Sequence, residues 1–561
     1  MPTIEALFSD LQRLTGKDLP RNEEQLNDLL AYVKGEVESL TGNELSIELK
    51  DGNRPDLWSV EGIARELRGA LGIETGLKPY EVKSSSGVEI QVDRRLQTIR
   101  PFIGCSVVEA VHIDDEAIRG LMHLQDKLDQ TYGRRRRRAS IGFYRFRLVK
   151  PPLHYKASAP NDYKFTPLDG TSPMTLKEIL EHHPKGIEYA PILRDHQLWP
   201  MLVDDEDQVL SFPPIINSNT LGKITEGEED ILVEVTGTNV RTVLNTLTIV
   251  TLSLADRGHN ILSARVHYPY GPAAEDTTPK LATRQVSLDY RSVNRLLGLD
   301  LTPTQIAVLL ERARYGAEAQ GDTIQVTIPC YRIDIMNMVD IVEDVAIGYG
   351  FNNISPIWPR ISTTGGLSRL EELSNLTRTA MIGLGYQEVL TFSLTDRESQ
   401  QTKMGLESLP LVELSNPSSI YFSTMRSWLT PALMAFLAGN THSPYPQKIF
   451  EVADVETIDA TSPTDVRDVR RLAALTAHSN ANFSEAKSVL EAVLRGLDTR
   501  YELKETEHPS FIAGRVAQLS VSGRYVGLVG ELSPKTITAW GLANPIAGFE
   551  VDLEPLFGRL P

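Results

Sequence analysis

The chain has 561 residues, 41 % of them hydrophobic and 23 % charged, with a formal net charge of −17 and two cysteines. That length exceeds what one hydrophobic core can serve and predicts several domains of about 100 to 200 residues each. Cys105 and Cys330 are too few for a disulfide framework or a cysteine zinc site. No apolar run of about 18 residues is available to span a membrane, and the start MPTIEALFSDLQRL carries acids where a secretory signal has a basic head and an apolar stretch, so a cytoplasmic protein without a membrane partner is expected.

Residues 1–88 open with a predicted amphipathic helix over Ile4–Leu14 and a second over Glu23–Val33, followed by the strand-like ELSIELK. The tight turn Asp51-Gly52-Asn53-Arg54-Pro55-Asp56 comes next. Asp56 is the expected N-cap of a helix whose Leu57, Val60, Ile63, Ala64, Leu67 and Leu71 line one face, because Pro55 blocks an earlier start.

Residues 89–272 alternate strand signals with helical ones, including a helix near Ile118–Leu128, which predicts a mixed α+β domain. The strand signals are VEIQV, FIGCSVVEAV, ASIGFY, QVLSFPPIIN and DILVEVTGT. Pro213 and Pro214 stiffen a loop between two strands and leave Asn217 in a defined place. Glu234 alternates with Val233 and Val235, a pattern that by itself turns it toward water. Net acidity argues against a nucleic-acid partner, yet Arg134 to Arg138 form an unbroken basic run, followed by Arg145, Arg147 and Lys150 with Phe143, Tyr144 and Phe146 interleaved. Such a run suits a nucleic-acid footprint, a solvated loop or a counterweight to acids elsewhere equally well.

Residues 273–357 read as strand RQVSLDY, helix SVNRLLG, a helix capped by Thr302 with Pro303 at its first position, and strand TIQVTIP. The helix TPTQIAVLLERARYG offers too few basic or amide side chains to read bases, which discounts a helix-turn-helix DNA reader. In PCYRIDIMNMVDIVEDVAIGYG, Val339, Val342, Ala346 and Tyr349 recur at helical spacing. Asp340, Glu343 and Asp344 share the opposite face at i, i+3 and i+4, and Asp334 lies close enough in sequence to fold back onto them. Oxygen donors without His or Cys suit Mg²⁺ rather than zinc. On spacing alone, a solvated helix face is the plainer reading.

The run Pro329, Arg332, Asp334, Asp340, Glu343, Asp344, Tyr349, Gly350, Phe351, Asn352 resembles the magnesium-site helix of the phenylalanyl-tRNA synthetase β subunits. NRPD followed by SVEGIARELRG resembles the amino-terminal signature of the same family, and SFPPIIN its archaeal and eukaryotic form. The resemblance implies Asp334, Asp340, Glu343 and Asp344 as ligands of a structural or interface Mg²⁺. It also implies that residues 89–272 hydrolyse tyrosine wrongly attached to tRNA, with Leu202, Ser211, Asn217, Glu234 and Thr236 lining the pocket and Glu234 accepting the tyrosine hydroxyl. A second pocket has a physical motive: an apolar site built for phenylalanine cannot strongly reject an analogue that adds a hydroxyl, whereas a site that hydrogen-bonds the hydroxyl discriminates by orders of magnitude. No Ser-His-Asp or Cys-His arrangement stands out, so a positioned water is the expected nucleophile.

Residues 358–561 carry a predicted helix Leu370–Leu384 ended by Gly385, a strand Tyr386–Phe392, Ser415-Asn416-Pro417, Met425 to Pro431, the strand Lys448–Val452, His508-Pro509 and Gly514-Arg515. Together they resemble a class II synthetase catalytic module with an antiparallel sheet. KIFEVADVET lacks the Arg of the second class II motif and RYVGLVGELSPKTITAW lacks GxGxGxER, so a degenerate module that does not bind ATP productively is expected. As the resemblance implies, it serves as the dimerisation surface for an α subunit that adenylates phenylalanine, in an α2β2 heterotetramer charging tRNA(Phe) with ATP and Mg²⁺. The archaeal and eukaryotic type lacks the carboxy-terminal anticodon-binding domain and the oligonucleotide-binding insertion of bacterial relatives. Arg145 and Arg147 in IGFYRFR depart from the family, which more often has an acid there, and keep a scaffold without active editing as the alternative.

Overall fold

The computed structural model describes residues 2–109, 113–271, 275–359 and 362–557. The chain divides into two compact units, Met1–Trp358 and Pro359–Pro561. Both are mixed α+β. Among the described residues no helix is long and apolar enough to cross a membrane.

The first unit begins with a three-stranded antiparallel sheet in which Glu44–Leu49 lies between Thr3–Leu7 and Gly35–Thr41. The helix expected over Ile4–Leu14 therefore starts only at Phe8 and runs to Thr15. Ile4 sits opposite Ile47 and Ala6 opposite Leu45, so ladder hydrogen bonds to a distant strand override the local helical spacing. The segment Glu23–Leu30 is helical as predicted, continued by a 3-10 turn Ala31–Val33.

The helix after the NRPD stretch runs Val60–Ala70 and is capped by Ser59, whose hydroxyl accepts from the Gly62 amide at 3.2 Å. Asp56 is not the cap. It is buried in the turn Pro55–Leu57, where Arg54 Nε and Nη2 donate to its two oxygens at 3.0 and 2.7 Å. Gly62 explains part of the motif: a Cβ there would stand 1.7 Å from the carbonyl oxygen of Asp56.

A ten-stranded sheet organises residues 82–278. Its order along the main path is Ile216–Asn217, Val209–Phe212, Trp199–Val203, Leu153–Ser158, Val82–Val92, Asn260–His267, Phe102–Glu109, Ile231–Gly237 and Ala139–Arg145, with Glu275–Thr278 paired to Asn260–His267. Val82–Val92 is parallel to both of its neighbours, and the other pairs are antiparallel. Of the expected strand FIGCSVVEAV, Ala110 and Val111 lie outside the described residues. Helices Asp115–Gln130 and Val240–Ala255 share a core with Ile231, Val233 and Val235 of the sheet and with Phe8, Leu11, Ile63 and Leu67 of the amino-terminal elements. Because strand side chains alternate, Leu232, Glu234 and Thr236 face the other way, toward a second core containing Tyr144, Tyr155 and Leu202.

Residues 284–349 form a small antiparallel sheet centred on Thr323–Ile328 with helices Tyr290–Leu297, Pro303–Arg312 and Met338–Tyr349. Thr302 and Gln305 make the reciprocal capping box that the sequence predicts.

The second unit is built on a seven-stranded sheet ordered Gln387–Glu388, Gln447–Ile458, Val466–Ala477, Ile546–Asp552, Arg524–Leu532, Phe511–Val521, Glu502–Glu505. Only the first pair is parallel. Helices Arg369–Gly383 and Phe483–Gly496 pack with Phe450, Leu472 and Ala474, and helix Thr430–Gly439 packs with Ile449, Ala473 and Leu475 on the opposite face. The strand expected over Tyr386–Phe392 is confined to Gln387–Glu388, and Leu390 and Phe392 beyond it are exposed.

Gly62→Ala forces the helix away from the Asp56 carbonyl and is expected to destabilise the first unit by roughly 2 kcal/mol. Denaturant unfolding checks this; a variant with wild-type stability contradicts the packing described for the NRPD turn.

Candidate functional site

A cavity of about 670 Å³ opens where the edge strand Ala139–Arg145 meets the hairpin Val209–Asn217. Ser211, Asn217 and Glu234 all line it, together with Arg136, Ser140 and Phe212. Glu234 lies on a strand with a neighbour on each edge, opposite Cys105 on one side and Gly142 on the other, and is 2 % exposed. The outward-facing reading of Val-Glu-Val is thus overturned: the strand is interior, so its polar residue is buried as deeply as its valines.

The surroundings of Glu234 supply one firm partner. Tyr144 Oη donates to Glu234 Oε2 at 2.8 Å, whereas Oε1 has no hydrogen-bond partner among the described residues. Burial pushes the Glu234 carboxyl up to about 7, against the lowering influence of the Tyr144 hydrogen bond, the Arg100 charge and the nearby Thr236 hydroxyl. Ser211 pairs with Asn217 across the hairpin whose turn holds Pro213 and Pro214, which sets both side chains at the cavity. Leu202 and Thr236 do not line the cavity wall. Leu202 is opposite Ser211 in the ladder, but its side chain is sealed in the core behind the cavity. Thr236 is fully buried, and its Oγ1 accepts from Arg100 Nε at 3.0 Å.

Three residues of this region escape sequence reasoning. Tyr144 is one. Arg100, fully buried, donates to the Thr236 carbonyl at 2.6 Å, Ser140 Oγ at 2.9 Å and the Arg136 carbonyl at 3.0 Å, tying the strand ends to the basic turn. Arg136 pairs with buried Asp129 at 2.9 Å, donates to the carbonyls of Pro214 and Ile215, and lies 4.4 Å from the centre of the Tyr189 ring. Only the length of the arginine run could have signalled it.

The basic run itself divides in two. Arg134, Arg135 and Arg136 adopt left-handed backbone (φ 51°, 52° and 63°), which turns Arg136 inward while Arg134, Arg135, Arg137 and Arg138 stay exposed. Arg145 and Arg147 instead neutralise the acids Glu228, Glu229 and Asp230. They are a counterweight within the fold.

The four acids of the carboxy-terminal part of this unit line one small cavity of about 30 Å³ with Asp51, Lys34, Arg54 and Arg332. They do not share one solvated helix face. Asp344 is buried and accepts from Arg332 Nη2 at 2.6 Å and from the Tyr315 hydroxyl. Asp334 takes Arg332 Nε and Nη2 at 2.9 and 2.7 Å. Asp340 folds back to accept from the Met336 and Asn337 amides, both at 2.7 Å, and half-exposed Glu343 pairs with Lys34 at 2.8 Å. Among the described residues no group of three or more acids, His or Cys converges to hold a metal ion. The donor chemistry nevertheless fits a hard divalent cation, since oxygen is the only acceptor type present and Asp340, Glu343 and Asp344 each keep one oxygen outside these pairings.

Two family models match the chain: the tRNA synthetase B5 domain over residues 286–351, which contains all four acids, and the phenylalanyl tRNA synthetase beta chain CLM domain over residues 354–553. The phenylalanine–tRNA ligase beta subunit of Thermococcus kodakarensis is 41 % identical over 99 % of both chains. The chain belongs to the phenylalanine–tRNA ligase β-subunit family. The family member of Pyrococcus furiosus is likewise 41 % identical, over 99 % of this chain and 100 % of its own, and that of Methanococcoides burtonii 38 % over the same shares. Among solved structures, an amino-terminal fragment of the phenylalanyl-tRNA synthetase β subunit from Pyrococcus horikoshii matches with a TM-score of 0.60 and 39 % identity, covering 62 % of this chain and all of the fragment.

In this β-subunit relative the buried Glu234 carries a pH signature. Its carboxyl keeps a proton up to about 7 in the fold, while the unfolded chain releases it near the usual 4.5. Stability from this group is therefore complete below about 4.5 and is lost as pH rises toward 7. Glu234→Gln removes the loss, and Asp129, raised in the same way, is common to both proteins. The melting temperature of the variant relative to wild type is expected to climb between pH 5 and pH 8; a constant difference contradicts the burial of the carboxyl.

Proposed function

We propose that this chain is the β subunit of a phenylalanine–tRNA ligase that supports ATP-dependent attachment of phenylalanine to tRNA(Phe) by an α subunit and hydrolyses tyrosyl-tRNA(Phe) in the cavity around Glu234. The observation that carries the editing half is a buried carboxyl at a 670 Å³ cavity with one oxygen unpartnered. A tyrosyl phenol satisfies that oxygen, whereas a phenylalanyl ring leaves it buried and bare, and this difference is the discrimination an editing site needs. Water adds to the ester carbonyl, the terminal ribose hydroxyl of the tRNA leaves, and free tyrosine is released; no nucleotide is consumed. The exposed Arg134, Arg135, Arg137 and Arg138 supply cationic charge next to inward-turned Arg136, as a polyanionic substrate requires.

Adenylation is assigned to the α subunit. In the second unit, read as a degenerate class II synthetase domain, the strand Gln447–Ile458 offers no arginine, and the charged groups nearby satisfy one another. Arg426 pairs with Glu451 at 2.9 Å, both buried, and Glu550 accepts from the Leu429 and Thr430 amides at 2.9 and 2.8 Å. Nothing in that set is left free for a triphosphate. Leu390, Phe392, Ile420 and Tyr421, with Leu376 and Ile382 on the helix Arg369–Gly383, are exposed apolar side chains of the kind subunit interfaces bury, and the α subunit of an α2β2 heterotetramer is the partner assigned to them. Mg²⁺ would be held by the oxygens that Asp340, Glu343 and Asp344 keep outside their pairings, beside Asp334, which Arg332 holds, in a structural role. A cytoplasmic location accords with this assignment.

Deacylation of tyrosyl-tRNA(Phe) by the complex with the α subunit tests the editing assignment. Glu234→Ala is expected to lower that rate by roughly a hundredfold, the loss of a hydrogen bond to a charged group, with phenylalanylation unchanged. Equal deacylation by variant and wild type would place recognition elsewhere. For the cation, Mg²⁺ added after chelation is expected to raise the melting temperature of the wild-type chain but not that of Asp340→Asn/Glu343→Gln; identical responses remove the metal role of the four acids.

A further inference from the structure

We propose that Tyr144 is a positioning residue of this pocket: by holding one oxygen of Glu234 it orients the carboxyl so that the other oxygen meets the hydroxyl of the incoming aminoacyl group. The proposal rests on the reading of the cavity as a tyrosine-editing site and assigns within it a role to a residue outside the cavity lining.

The geometry is specific. Tyr144 is fully buried, two residues beyond Gly142 on the edge strand, and its hydroxyl reaches Glu234 Oε2 at 2.8 Å while standing 3.5 Å from Asn217 Oδ1. A phenol has one proton to give, and the shorter, charge-assisted contact takes it. Gly142 is what lets the two groups meet. It faces Glu234 in the ladder, and a Cβ on it would stand 2.2 Å from Tyr144 Oη and 2.7 Å from Glu234 Oε2. With Oε2 fixed, the carboxyl plane is fixed, and Oε1 is the oxygen left without a partner at the cavity. An unanchored carboxyl would divide its time between orientations and lose part of its selectivity for a hydroxyl.

The same contact sets when the carboxyl is charged. The groups that act on Glu234 are Tyr144 from the edge strand, Thr236 two residues along the same strand, Arg100 just before the strand Phe102–Glu109, and Asp129 from the end of the helix Asp115–Gln130. Cys105 stands opposite it on the neighbouring strand, Tyr155 lies three strands further across the sheet, and Arg136 is on the cavity wall. Of these, Tyr144 donates a hydrogen bond directly to the carboxyl, and burial holds its own phenol well above the usual range, so it stays a donor at every pH of interest. Removing it raises the proton affinity of Glu234.

The test measures deacylation of tyrosyl-tRNA(Phe) and phenylalanyl-tRNA(Phe) from pH 5.5 to 8.5 by the complex with the α subunit, for wild type, Tyr144→Phe, Glu234→Gln and the double variant. The expected results for Tyr144→Phe are a roughly tenfold fall in kcat/KM for the tyrosyl substrate, no change for the phenylalanyl substrate, and an acidic limb displaced to higher pH. In the Glu234→Gln background the same substitution is expected to move neither the selectivity nor the pH profile. Phenylalanylation and melting temperature verify that the variant is folded, and Gly142→Ala, which breaks the same contact from the other side, is expected to repeat the selectivity loss. Wild-type selectivity and an unmoved acidic limb in Tyr144→Phe overturn the proposal, as does an effect that persists in the Glu234→Gln background. Failure of the wild-type complex to deacylate tyrosyl-tRNA(Phe) overturns the editing reading on which the proposal rests.

Discussion

A carboxyl buried in the interior of a sheet has to be served by whatever the two flanking strands bring opposite it, and in this protein that constraint shapes the whole candidate site. The strand Ile231–Gly237 gives its valines to the helix-covered face and Glu234 to the other. Opposite Glu234 stand a cysteine and a glycine, neither of which fills the space that a hydrogen-bonding partner needs. Tyr144 enters that space from one position along the same face, and Glu234 lines the cavity with its other oxygen unpartnered. The sheet thus supplies rigidity and the small residues supply room.

A second constraint of the same kind runs through the first unit. Arg54, Arg332 and Lys34 are each shared between acids from separate segments: Asp56 and Glu66, Asp334 and Asp344, Asp51 and Glu343. In the buried Arg54 and Arg332 clusters, burying one member without the others would cost several kcal/mol, so the NRPD turn, the helix Val60–Ala70 and the helix Met338–Tyr349 carry their charged residues as a matched set. Motifs far apart in the sequence are explained by one electrostatic requirement.

How much of this was legible in the sequence depends on whether the deciding contact is local. Thr302 with Pro303 and Gln305 states a helix start within four residues, and the helix forms there. Ile4 to Leu7 carries a helical spacing, yet pairing with Glu44–Leu49 makes it a strand, and no local signal announces a partner about 40 residues away. Asp56 is a good N-cap by type, but Arg54 captures it and Ser59 takes the role. The same distinction holds at the site. Val-Glu-Val reads as half-exposed until the sheet order places strands on both sides. Ser211, Asn217 and Glu234, placed by resemblance, come together at one cavity, while Leu202 and Thr236 stand behind it in the core and in the Arg100 network. Tyr144 was visible only as an aromatic within a basic stretch; its contact with Glu234 spans 90 residues and exists only in the folded register.

The central claim is that the free oxygen of Glu234 is the acceptor for a substrate hydroxyl. A crystal structure of the protein with a non-hydrolysable 3′-tyrosylamino adenosine addresses it most directly. The account predicts the phenolic oxygen at about 2.7 Å from Glu234 Oε1, with the Tyr144–Glu234 contact retained. A ligand bound in the cavity with its phenol directed away from Glu234, or bound outside the cavity, contradicts it.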